Sequence, residues 1–359
     1  MGLFRRFFII IIIIIIIIDN YKSLTSNNKV GRFLNQFIVL FLMKMEPISR
    51  RNFLEKALTL TKAGLLLGGT AGLPRSIFAE EIMDDEHWRS KRELDGLYDA
   101  LAQDVMDEKP IVFTTYIGLW GNGEPPEENL YWGKREGHFK MFERAKTDPH
   151  IAKSFKNHDW DRIHYEEREE DPLRIAVYNQ NIEPNEFWRN KGVEKPFEMK
   201  HVCLAYDDIR KAGKELTLHL KQDEARIINV EGEQIDLAQD SRLMGYNGHN
   251  FYYDGDFPDL HQIKGQPDRV KGVYSIGCKT AYFFDNVFID KNIFGLLFTT
   301  SFMAPEGYNL LSLTDSVAQG NSGREIAENC NEAYKYFQVL GGQRRPGKLF
   351  VNHSHGLFD

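Results

Sequence analysis

Cysteine is scarce in these 359 residues: there are three, Cys203, Cys278 and Cys330. None stands in a CxxC pair, HExxH is absent, and no cysteines and histidines are paired at zinc spacing. Neither a metal nor any other cofactor is therefore expected. Three thiols allow one disulfide in an oxidising compartment and leave one thiol over. Phosphate-loop and serine-elbow chemistry lack their motifs too. The GGTAG beginning at Gly68 has no lysine after it, and GNSG at Gly320 is not GxSxG. No internal repeat is visible. The longest unbroken apolar run is Phe7 and Phe8 followed by ten isoleucines, Ile9 to Ile18. It is about half the roughly 20 residues that a spanning helix needs. Its bias marks residues 1–44 as a mis-started or non-native extension, to be set aside before any reasoning about fold.

Met43 and Met45 are better starts. From Met45 the chain runs through Ser49-Arg50-Arg51-Asn52-Phe53-Leu54 and Lys56 into a mild apolar stretch, Ala57 to Leu73, and reaches Ala79. This segment, 45–79, closely resembles a twin-arginine signal, although Ile77 is not the small residue usual two positions before cleavage. The resemblance implies the twin-arginine translocase as a partner during export, a periplasmic or secreted product, and no stable membrane insertion after cleavage. The competing reading is an ordinary amphipathic helix that opens with two arginines. Cleavage after Ala79 leaves 280 residues with 34 basic and 49 acidic side chains, a formal charge of −15. That sign argues against nucleic acid and anionic membrane surfaces as partners.

Past the signal, residues 80–109 form a charged helical segment in which Leu94, Leu97, Leu101 and Val105 recur at helical spacing. Residues 110–345 are expected to be one α/β domain, with 346–359 an exposed tail carrying His353 and His355. Strands are expected at 111–116, 173–178, 201–206, 242–247, 270–276 and 293–299. Asp207-Asp208 would cap a helix through Leu220, and two helices, 306–319 and 323–340, would close the domain. Alternating strands and helices predict three layers around a mainly parallel sheet. The densely charged stretch 157–171 is expected to be a solvated loop or helix face. A metal site from His158, Asp159, Asp161 and His164 is the weaker alternative.

Two strand ends carry the chemistry. LMGYNGHNF runs into Gly248-His249, and GVYSIGCKTAYFF runs into Gly277-Cys278 and then an apolar, aromatic helix. Ligand chemistry in open α/β sheets sits beyond the carboxyl ends of the strands. A thiol between a strand end and a helix start would gain thiolate character from the helix amides, and Lys279 would add to it. The glycines allow tight turns and leave the site open. This arrangement resembles the caspase, gingipain and clostripain group of cysteine peptidases over roughly Leu173 to Leu340. There, one strand ends in Gly-His and the next in a small residue and Cys. The resemblance implies His249 as general base and acid, Cys278 as nucleophile, and an oxyanion site from backbone amides at Gly248, Asn250 and Gly277. Asn250 replaces the glycine often found after the histidine. A second resemblance, in NLYWG (Asn129 to Gly133) and MAPEGY (Met303 to Tyr308), is to exported bacterial proteins of unassigned function and adds no chemistry.

A cysteine peptidase or amide hydrolase acting on a protein or peptide is thus one expectation. A catalytically silent caspase-like module that binds an envelope partner is the other. A third reading uses the Tyr131-Trp132 loop to bind sugar or lipid. Cys203 and Cys330 read as core residues. Asp254 and Asp256, among aromatics just past His249, would pair with a basic substrate side chain. The favoured reading of the two is a turn-rich surface loop with solvated acids.

Overall fold

A computed structural model describes residues 94–119, 123–250, 258–282, 284, 287, 292–340 and 349–351. The extension 1–44, the signal 45–79, and Asp254 and Asp256 lie outside the described residues. In chain order the helices and strands begin with α1 (Asp95–Met106), β1 (Ile111–Gly118), α2 (His138–Glu143), α3 (Pro149–Ser154), β2 (Asp161–Glu167) and β3 (Arg174–Ile182). Next come α4 (Glu186–Asn190), β4 (Phe197–Tyr206), α5 (Ile209–Lys221), β5 (Ile227–Val230), β6 (Glu233–Asp236), α6 (Leu237–Asp240) and β7 (Ser241–Gly248). The rest are α7 (Pro258–Gln262), β8 (Lys271–Ile276), β9 (Ile293–Thr299), α8 (Gly307–Ala318), α9 (Gly323–Leu340) and β10 (Phe350–Val351).

Eight strands form one sheet in the order β10-β9-β8-β7-β1-β4-β3-β2. The central pairings β4-β1, β1-β7, β7-β8 and β8-β9 are parallel, while β3, β2 and β10 run antiparallel to their neighbours. Strand alternation splits the core in two. Phe113, Ile117, Leu243, Tyr274 and Ile276 pack on one face with α1, α8 and α9. Val112, Tyr116, Met244, Tyr246 and Val273 pack on the other with Ala212, Leu216 and Leu220 of α5. The protein is a three-layer α/β fold with a mainly parallel sheet, as the pattern of alternating elements predicts.

Local rules account for most boundaries. Asp208 caps α5 by accepting from the amides of Arg210 (2.9 Å) and Lys211 (3.2 Å). The central strands are buried on both sides, so they read as apolar runs.

Two expectations need correction. The charged stretch 157–171 contains a strand, β2, at the sheet edge. Its mostly polar side chains lie on an exposed edge, where charge blocks pairing with another chain. The tail also begins inside the fold. Phe350 pairs with Thr299 of β9, and Asn331 Oδ1 accepts from the Leu349 amide (2.6 Å) and the Phe350 amide (3.1 Å). Among the described residues no helix is long and apolar enough to cross a membrane.

Candidate active site

β7 and β8 are parallel neighbours whose register brings Asn247 opposite Ile276. Gly248-His249 and Gly277-Cys278 therefore leave the sheet side by side at its carboxyl edge. The approach is close enough to demand glycine. A Cβ on Gly277 would sit 2.7 Å from the Gly248 carbonyl oxygen, and one on Gly248 would sit 2.4 Å from that of Gly118. Gly248 also has φ +140°, a conformation closed to side-chain-bearing residues. Three strand ends, those of β1, β7 and β8, thus converge on one point.

Cys278 is half-buried, and all three cysteines are free thiols. Cys203 and Cys330 are buried in the core, as expected, and burial pushes their thiols well up, that of Cys330 to about 12. The Cys278 thiol donates to the carbonyl of Met303 at 3.5 Å. Burial raises its pKa, outweighing the Met303 backbone and the Lys279 ammonium, which both lower it. Just after Cys278, Thr280–Tyr282 forms a 3-10 turn, too short by itself to supply the amide dipoles that an α-helix start would offer. The resting thiol is protonated, and only the expected contribution of Lys279 has the right sign.

Around Cys278 the backbone is tied down from three directions. Asn250, fully buried, donates its side-chain amide to the Cys278 carbonyl at 2.7 Å. The Lys279 amide donates to Ser301 at 2.9 Å, and the Thr280 amide to Thr299 Oγ1 at 3.1 Å. With the Lys279 amide engaged, an oxyanion donor on this turn has to be the amide of Cys278 itself. On the other strand end, the His249 carbonyl accepts from the Tyr246 hydroxyl at 2.5 Å.

The two segments that promised no chemistry are the ones that wall the thiol. NLYWG is built on Asn129, whose side chain donates to the Leu119 carbonyl (2.6 Å) and accepts from the Tyr131 amide (2.9 Å). His138 holds it from below. Its Nδ1 lies 2.7 Å from the Tyr131 carbonyl, which can only accept, so Nδ1 carries the proton. Nε2 is then the acceptor for the Asn247 amide at 2.5 Å. Burial lowers the His138 pKa to about 4, so it stays neutral. The chain Tyr131–His138–Asn247 fastens the loop after β1 to the residue before Gly248. Trp132 is fully buried and stacks on Phe139, centroids 5.5 Å apart. Trp132 therefore offers no face to a sugar or lipid, and Tyr131 beside it is half-buried.

MAPEGY supplies Met303 and also Glu306. Glu306 is nearly buried, accepts from Gln338 at 2.8 Å and from the Tyr308 hydroxyl, and has its pKa raised to about 7. Burial is the main cause, with the Glu136 charge adding to it. Tyr131 and Tyr334 both lie within electrostatic reach of Cys278 and of Glu306. Two phenols therefore lie near the thiol, and each also lies near the Glu306 carboxyl. Comparison with family models, with curated proteins and with solved structures returns no match.

Proposed function

We propose that this protein is an exported cysteine peptidase or related amide hydrolase, with Cys278 as nucleophile and His249 as general base and acid. The observation that carries the proposal is the side-by-side exit of Gly248-His249 and Gly277-Cys278 from adjacent parallel strands. A protonated resting thiol suits a mechanism in which the base acts during attack. His249 takes the Sγ proton as sulfur bonds to the substrate carbonyl carbon, and the carbonyl π electrons move onto oxygen. Backbone amides at Cys278 and near Asn250 would receive that oxyanion. The proton passes from the imidazolium to the departing amine. Water, deprotonated by His249, then adds to the thioester carbonyl carbon, the C–S bond breaks to release the acid, and the imidazolium returns its proton to Sγ. Export by the twin-arginine pathway, with Arg50 and Arg51 recognised by the translocase, belongs to the same proposal.

A second reading has an observation of its own. Burial holds Cys278 as a neutral thiol, which donates to the Met303 carbonyl, and this suits a catalytically silent module that binds an envelope partner. A peptide library separates the two. Incubation with the purified protein, followed by mass spectrometric identification of new termini, should show cleavage that Cys278→Ala abolishes. Termini identical for the protein and the variant would leave only the binding reading.

A further inference from the structure

We propose that Asn250 is a positioning residue whose side chain sets the spacing between nucleophile and base. The inference rests on the hydrolase reading above. It assigns the work to the side-chain amide, a role distinct from that of the backbone amide near the oxyanion.

The peptide joining Cys278 to Lys279 is held at both ends. Its carbonyl accepts from Asn250 Nδ2 at 2.7 Å, and its N–H donates to the Ser301 carbonyl at 2.9 Å. The orientation of the Asn250 amide follows from chemistry, since a carbonyl can only accept and Oδ1 cannot donate. Lys279 sits at φ +52°, in the left-handed region that side-chain-bearing residues enter only when their surroundings hold them there. The two hydrogen bonds supply that hold. They come from different places: Ser301 follows β9, whereas Asn250 is bonded covalently to His249. The path from the imidazole to the thiol is thus one peptide, one short side chain and one hydrogen bond. Asn250 is fully buried, so water does not compete for the carbonyl. The turn is fixed to β9 by other contacts as well, among them Thr280 to Thr299. Asn250 adds to these a tie from the loop that carries the base. Without it the Cys278 carbonyl loses a donor, and the peptide, still tied to β9, loses this tie to the loop that carries His249.

The test uses Asn250→Ala and the isosteric Asn250→Asp. The latter keeps the packing but presents a carboxylate, which cannot donate, to the Cys278 carbonyl. Two readouts are followed in the full protein. One is hydrogen exchange at the Lys279 amide. The other is the pH dependence of Cys278 alkylation by iodoacetamide, with His249→Ala as reference. Both variants should speed Lys279 exchange at least about tenfold and lower alkylation at pH 7 by about tenfold, toward the His249→Ala rate. Unchanged Lys279 exchange together with an unchanged alkylation profile, with only a lower melting temperature, would overturn the proposal and make Asn250 a packing residue. Wild-type alkylation equal to that of His249→Ala would instead overturn the hydrolase reading, and Lys279 exchange would still decide whether Asn250 holds the peptide.

Discussion

Replacing Gly248 by alanine tests the convergence of strand ends on which the site depends. Two costs apply. The backbone at φ +140° is closed to alanine without rearrangement, which costs about 1–3 kcal/mol. The new Cβ would also lie 2.4 Å from the Gly118 oxygen and 3.1 Å from its carbonyl carbon. These are main-chain atoms of a central strand and cannot swing aside, so overpacking adds about 1–3 kcal/mol. The sum is about 2–6 kcal/mol. For a domain of this size about 3 kcal/mol lowers the melting temperature by roughly 6–12 °C. Gly232→Ala is the control. It has φ +93° but nothing within 4 Å of its Cβ, so it carries the backbone cost alone. Thermal and urea unfolding followed by circular dichroism should rank Gly248→Ala well below Gly232→Ala. Equal losses would mean that the end of β7 does not rest on β1.

Glu306→Gln should alter the pH dependence of stability. The folded carboxyl titrates near 7, well above an ordinary glutamate, so between about pH 4.5 and 7 the native state binds the extra proton. Its stabilising contribution is therefore complete below about pH 4.5 and lost as pH rises through 7, by up to about 3 kcal/mol. Urea titrations at pH 5 and pH 8 should show that loss in wild type and its absence in the variant, and parallel curves would contradict the burial of Glu306. Asn331→Ala leaves the Leu349 and Phe350 amides without their acceptor, at about 2 kcal/mol. Limited proteolysis should then cut near residue 349 much sooner, and unchanged resistance would show that β10 is held by other means.

Much of this fold is legible because its central strands are uninterrupted apolar runs and its helices carry marked ends. Asp208 as a cap and Leu97 and Leu101 as a buried face follow from spacing alone. β2 escapes such reading because an edge strand buries so little that its charged sequence resembles a loop. The hairpin β5-β6 escapes because its strands are only four residues long. At the site, the positions of His249 and Cys278 were legible from two glycine-bearing strand ends. The state of the thiol was not, because burial sets it, and Met303, 25 residues further on, comes to its side only in the fold. Glu306 and Tyr131 stood in segments already singled out. No spacing rule joins residue 131 to residue 306, and only the converging loops after β1 and β9 do so.

The central claim is that Cys278 is a nucleophile activated by His249, and iodoacetamide alkylation read residue by residue by mass spectrometry tests it most directly. At pH 7 Cys278 should react at least about tenfold faster than Cys203 or Cys330, whose thiols are buried. His249→Ala should remove most of that advantage without changing the fold. A Cys278 rate that matches the buried thiols, or one indifferent to the loss of His249, would contradict the account.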